Sequence, residues 1–146
     1  MFKMNRISRG IVVVFVLAAF ILAACGGGSS PKNPVEIQIT LEEFKITSSL
    51  TTFSVGVPYH FVITNKGTME HEIYIMPPTT SDMTADQISA LKSTALAGIA
   101  ADKLAAGATQ SFDYTFTKAY PSGSMEFACH LPGHYEGGMK QAIVVQ

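Results

Sequence analysis

The stretch Cys129-His130-Leu131-Pro132-Gly133-His134-Tyr135-Glu136-Gly137-Gly138-Met139 sets a thiol, an imidazole and a thioether at C-x4-H-x4-M spacing. These donors suit one copper ion that cycles between two states. Cu(I) favours soft sulfur and Cu(II) favours imidazole nitrogen, so two histidines, one cysteine and a weak axial methionine serve both with little rearrangement. A loop between two closing strands delivers three donors, and the fourth must come from elsewhere. In Glu70-His71-Glu72-Ile73-Tyr74-Ile75, the period of two puts His71 on the face of Ile73 and Ile75. That face is apolar and points inward. A lone inward histidine is ordinarily a hydrogen-bonded core residue, but the downstream loop turns the reading towards a ligand. Phe127 and Cys129 share a face as well, which aims the thiol inward. The candidate metal set is His71, Cys129, His134 and Met139.

Other donors read differently. His130 alternates with Cys129, so it is expected to face away from the copper as an exposed loop histidine, with a further metal contact as its second reading. His60 lies mid-strand between Tyr59 and Phe61, outside any cluster, and reads as structural. Of the remaining methionines, only Met69, two residues before His71, is close to the site in sequence; the others read as core filler. Zinc is the rival metal, since Cys, His and His can hold it at similar distances. Zinc sites more often use several cysteines or a carboxylate, and copper competes better for nitrogen and sulfur. A dinuclear copper centre would need a second cysteine in the loop.

Strands must position these donors. Val35–Ile39, Tyr59–Thr64, Glu70–Met76, Thr109–Thr117, Ser124–Cys129 and Lys140–Gln146 carry the alternation or β-rich composition of strands. Gly56-Val57-Pro58, Asn65-Lys66-Gly67, Ala106-Gly107 and Pro121-Ser122-Gly123 separate them as turns. Thr84-Ala85-Asp86-Gln87 has the form of a capping box. Ile88, Leu91, Ala95 and Leu96 then recur at helical spacing, which predicts a helix or helix pair within Ala85–Ala105. The fold class is an all-β sandwich with one helical excursion around residues 85–105.

The N-terminus bounds the compartment. Lys3, Arg6 and Arg9 precede the wholly apolar run Ile11–Ala24, whose 14 residues fall short of the roughly 20 that span a bilayer. Residues 1–24 therefore read as a signal peptide. Leu22-Ala23-Ala24-Cys25 resembles the lipobox of bacterial lipoproteins, which implies lipidation of Cys25. Residues 25–34 then form a flexible tether, and 35–146 form one domain. After Cys25 there are eleven acidic residues against seven lysines, a net charge near −4 with histidines neutral. No basic patch suggests nucleic acid. With Cys25 lipidated, Cys129 has no intramolecular partner in an oxidising compartment, and a metal would occupy that otherwise exposed liability.

Asn65-Lys66-Gly67…His71, Ala105-Ala106-Gly107-Ala108-Thr109 and Phe127-Ala128-Cys129…Pro132-Gly133-His134…Gly138-Met139-Lys140 together resemble the plastocyanin/azurin-like cupredoxins over Val35–Gln146. The resemblance implies a Greek-key β-sandwich and a type 1 (blue) copper site. In it His71 and His134 give nitrogen, Cys129 the equatorial thiolate and Met139 the axial thioether, while the Glu70 carbonyl can approach from the side opposite Met139. It further implies a monomeric electron carrier, not an enzyme, that meets protein redox donors and acceptors. The lipid would hold it on the extracytoplasmic face of a membrane, at the cell surface or on the periplasmic side. Two positions depart from the pattern. Glu72 stands where azurin and plastocyanin usually carry an Asn that ties the ligand loops, and His-Glu pairs occur in cupredoxins associated with copper resistance. Copper resistance, storage or delivery is thus the alternative function. His130 follows the thiolate as in multicopper oxidases, but position 128 is Ala and four histidines are too few for a three-copper cluster.

Overall fold

A computed structural model of the chain describes residues 33–146. The expected signal peptide (1–24), the expected lipidation site Cys25 and nearly all of the expected tether lie outside the described residues. Among the described residues, nine strands form two sheets: β1 (Val35–Glu42), β2 (Lys45–Ser48), β3 (Thr52–Phe53), β4 (Pro58–Asn65), β5 (Ile73–Met76), β6 (Ala97–Ile99), β7 (Thr109–Thr115), β8 (Tyr120–Ala128) and β9 (Lys140–Val145). One sheet runs β2-β1-β4-β7 and the other β3-β9-β8-β5-β6. β1 lies parallel to β4, and β3 lies parallel to β9; the other neighbours are antiparallel. This is the expected all-β, Greek-key sandwich with its helical excursion.

Alternation decides which side chains meet between the sheets. Ile37, Ile39 and Leu41 of β1 and Tyr59, Phe61 and Ile63 of β4 are buried, while their strand neighbours are exposed or half-buried. Phe53 centres an aromatic cluster, with ring centroids 5.0–6.1 Å from Tyr59, Phe61, Phe116 and Phe127. Each fully buried phenylalanine contributes about 2–3 kcal/mol by leaving water. The cluster fixes how the sheets stack, and the sheets fix the ends of β5, β8 and β9 that carry the donors.

The excursion departs from a simple helix pair. The capping box forms: the Gln87 amide donates to Thr84 Oγ1 at 3.3 Å, and the Thr84 amide donates to Gln87 Oε1 at 2.7 Å. The helix it starts, α1 (Ala85–Ser93), ends at Thr94 and buries no residue. With so little apolar surface to bury, the chain returns to the sheet: the Leu96 amide donates to the Ile75 carbonyl at 2.9 Å. Residues Ala97–Ile99 then add β6 to the edge beside β5, before one 3-10 turn at Ala101–Lys103. Gly98 weakens any continuation of the helix, and pairing with the open edge of β5 takes its place.

Two other local expectations are corrected. Pro121-Ser122-Gly123 is not a separator; it lies inside β8 as an irregularity between Tyr120 and Met125, with Gly123 at φ 81°. A glycine in that region lets a strand absorb extra residues without ending. The strand expected from Glu70 begins only at Ile73, so His71 and Glu72 enter the core from the connection before β5.

Candidate metal centre

The loop after β8 is shaped by its own sequence. Proline at the second position of a turn and glycine at the third, where φ is positive, favour a type II turn. Leu131-Pro132-Gly133-His134 meets that rule, with Gly133 at φ 79° and the His134 amide donating to the Leu131 carbonyl at 2.9 Å. The loop closes on itself: the Met139 amide donates to the His134 carbonyl at 2.9 Å, and the Cys129 amide donates to the Met139 carbonyl at 3.1 Å. These bonds bring the start, middle and end of the loop together, and β9 begins directly after Met139.

The fourth donor arrives on a separate arm, Asn65–Glu72. Asn65 is fully buried, and its side chain uses every polar atom. It donates to the Met69 carbonyl at 2.7 Å and the Leu104 carbonyl at 2.8 Å, and accepts from the Gly67 amide at 2.9 Å. The His71 amide also reaches Leu104, at 3.1 Å. The arm is thus bolted to the chain that leads into β7.

Loop and arm converge on one point. His71 Nδ1 stands 3.3 Å from His134 Nδ1, which stands 3.5 Å from Cys129 Sγ. Donor atoms of all three residues lie within 4.8 Å of one another. Three donors around one ion at metal–imidazole and metal–thiolate distances of about 2.0–2.3 Å stand about 3.5–4 Å apart, so the spacing fits a single metal ion. Cys129, His71 and Met139 are fully buried and His134 is 7% exposed.

The electrostatics agree with the geometry. Burial lowers the His71 pKa, and the neighbouring His134 adds to this, so the imidazole stays neutral and offers its lone pair. Burial pushes the Cys129 thiol up, opposed by hydrogen bonds from the backbone of Glu72 and Leu131. Those amides are placed to receive thiolate charge once a cation binds. Buried and free among the described residues, Cys129 is chemically complete only with a metal or a proton.

Residues 35–146 match the copper binding proteins of the plastocyanin/azurin family. The chain belongs to that family. This cupredoxin is 31% identical over 120 residues to the copper-resistant cuproprotein CopI of Rubrivivax gelatinosus, covering 82% of this chain and 71% of that protein. Its fold is similar to reduced auracyanin of Roseiflexus castenholzii, with a TM-score of 0.56, 21% identity, and coverage of 78% of this chain and 98% of that one. Rusticyanin of Thiobacillus ferrooxidans shares the fold at a TM-score of 0.54 and 13% identity, over 78% of this chain and 79% of that one. Copper is therefore the cofactor, with His71, Cys129, His134 and Met139 arranged as in a blue copper site.

The cupredoxin departs from the family pattern at Glu72, which still ties the loops. Its carboxylate is buried, accepts the His130 amide at 3.1 Å, and receives Lys92 Nζ on both oxygens at 2.8 and 2.7 Å. An ion pair here links the arm, the ligand loop and α1.

His130 lies outside the three-residue cluster, as its alternation with Cys129 predicts, but the expected exposure is corrected. Its ring stacks on Tyr135 at 4.5 Å, Nε2 meets Thr79 Oγ1 at 3.2 Å, and Nδ1 is buried with no partner among the described residues. The Tyr135 hydroxyl, bonded to Thr79, holds this packing in place. His60 is on the surface, paired across the sheet with Asp113 at 2.6 Å. Met69, on the arm itself, stays exposed, and its carbonyl serves Asn65.

The β1–β2 turn is the part of the site that the sequence concealed. Phe44 has φ 60°, in the left-handed region, and its ring meets the His134 ring edge-on at 5.6 Å. Gly137 has no side chain because a Cβ there would stand 2.3 Å from the Phe44 ring. Glu43, beside it, accepts both the amide and the hydroxyl of Thr68. A Glu-Glu-Phe-Lys turn carries no glycine or proline, so only the end of alternation after Leu41 could have marked it.

Proposed function

We propose that this cupredoxin carries single electrons between protein partners at an extracytoplasmic membrane surface, held there by lipid on Cys25. The supporting observation is the enclosure of a preassembled donor set: all four candidate ligands are nearly or wholly inaccessible to water. Bound copper supplies a one-electron couple. The chain's part is to hold the donors in one arrangement for both oxidation states, and hydrogen bonds on both sides of the site do so. Four donors leave no open position for a substrate, so the reading is a carrier and not an enzyme.

His134 is the ligand nearest the surface. Phe44, 48% exposed, covers its edge, with Leu131 and Pro132 beside it on the loop and exposed Met69 on the arm. This apolar rim suits brief encounters of small area. The acidic balance of the domain favours basic partners through long-range steering.

Copper resistance, storage or delivery is the second reading. It is favoured by the His71-Glu72 pair and by the similarity to the copper-resistant CopI. Delivery requires release of the ion from an enclosed site. The two readings separate on the full chain in detergent. An intense thiolate-to-copper band at one equivalent of Cu(II), bleached reversibly by ascorbate, with rapid electron self-exchange and slow loss of Cu(I) to a chelator, supports the shuttle. Rapid loss of Cu(I) with sluggish self-exchange moves the function to delivery. A colourless complex removes the shuttle and leaves copper handling or zinc as the leading reading.

A further inference from the structure

A histidine that gives one ring nitrogen to a metal must carry its proton on the other, and that N–H almost always donates to a carboxylate, carbonyl or water. With Nδ1 of His71 facing His134 and Cys129, the proton belongs on Nε2. That atom is buried and has no partner among the described residues. An N–H left so costs about 1–3 kcal/mol, and the structure shows which group stands next to it.

Gly67 marks the gap. A Cβ on Gly67 would stand 2.7 Å from Glu43 Oε1 and 2.8 Å from His71 Nε2. Carboxylate and imidazole therefore flank the same small space, which stays open because position 67 is glycine. Glu43 is held there by the Thr68 amide and hydroxyl. The turn that carries Glu43 is anchored on its other flank by Phe44 against His134 and Gly137.

We infer that Glu43 is the positioning residue for His71: on copper binding the Nε2–H donates to its carboxylate across Gly67, either directly after a small closure or through one water. The ligand pair then carries a negative charge that this side chain contributes. That charge favours Cu(II) over Cu(I) and lowers the potential, and the contact fixes the rotation of the imidazole. The inference rests on the copper reading of His71 and adds a residue from a remote turn to it.

Glu43→Gln tests this in the full-length, copper-loaded protein. The amide keeps an acceptor for Thr68 and removes the charge. About a tenfold loss of preference for Cu(II) is expected, which for one electron is an upward shift of about 59 mV. Glu42→Gln, the same charge change on a neighbour that pairs with Lys45, is the control and should shift the potential far less. In long-range ¹H–¹⁵N spectra of the Cu(I) form, the His71 Nε2 proton should be slow to exchange in the parent and move in Glu43→Gln. An unchanged potential with an unmoved proton would assign Glu43 to anchoring Thr68 alone. Equal shifts in the two variants would reduce its effect to general surface charge, and either result overturns the inference. If the parent protein gives no blue band, the copper reading fails instead, and the same proton in the metal-free chain still reports the Glu43 contact.

Discussion

The ligand loop and the His71 arm hold the same metal by different means. Cys129, His134 and Met139 fall within one short segment, and the bonds that close it run among its own backbone groups. His71 stands alone on a segment held from outside: by Asn65 through Leu104, by Thr68 through Glu43, and by Glu72 through Lys92. A loop that contains its own geometry can be read from spacing and can vary around a fixed motif. An arm that depends on remote segments transmits any change in those segments to the metal. Coordination chemistry is local here, and rigidity is imported.

The strongest test of that division is a pair of substitutions. Cys129→Ser should abolish the thiolate-to-copper absorption, because a hydroxyl is a poor ligand for either copper state. A retained blue band would remove Cys129 from the site. Asn65→Ala should act on stability, with about 3 kcal/mol lost from the three hydrogen bonds of a buried side chain, a fall in Tm of about 10–20 °C, and a blue band of unchanged position when copper is bound. Calorimetry of the metal-free chain reads the first effect and absorption the second. If Asn65→Ala shifts the band while leaving Tm intact, arm and loop do not divide the work in this way.

This division also explains what the sequence could convey. The loop was legible because Pro132-Gly133 dictates a turn and Cys-x4-His-x4-Met dictates a donor set; both signals lie within a single element. His71 was legible only as a partner for that loop. The sandwich was legible from alternation in β1, β4, β7 and β9. The short strands β2 and β3 lack enough residues to alternate, and β6 (Ala97-Gly98-Ile99) follows directly on the Ala95-Leu96 end of the helical spacing, so its edge pairing with β5 is a tertiary contact that no local pattern announces. Glu43 and Phe44 were hidden for the same reason: nothing in residues 42–45 refers to residues 67, 134 or 137. His130 was misread because exposure was inferred from loop position, whereas Tyr135, five residues on, folds back to cover it.

Two acids sharpen the contrast at lower amplitude. Glu43, beside the arm, is exposed and held below the usual carboxylate range by Thr68. Glu126, on the strand feeding the loop, is 5% exposed with Oε1 unpartnered among the described residues; burial raises its pKa, opposed by Tyr135 and Lys140. A carboxyl whose folded pKa is raised binds its proton more tightly in the native state. Stability therefore falls as pH rises from the usual glutamate range through the raised value. Glu126→Gln should stabilise the metal-free chain by about 1 kcal/mol at pH 7, and the gain should vanish near pH 4. Denaturation midpoints at the two pH values read this; a gain that persists at pH 4 would show a packing effect instead. Met139→Leu, similar in volume, should cost less than about 1.5 kcal/mol, retain copper and raise the potential by removing a weak donor to Cu(II). Loss of copper in that variant would make the thioether essential to binding.

The smallest effect on stability should come from Phe44→Gly, where two terms oppose each other. Phenylalanine at φ 60° carries a left-handed penalty of about 1–2 kcal/mol that glycine does not. Its edge contact with His134 returns about 0.5–1.5 kcal/mol. The variant should therefore unfold within about 1 kcal/mol of the parent. Its effect belongs to kinetics: with the cover gone, the His134 edge meets solvent, and a chelator should extract Cu(I) several times faster. A large loss of stability with unchanged extraction would make Phe44 a structural plug. The ligand loop would then be shielded by its own residues alone, with no contribution from the turn that also carries Glu43.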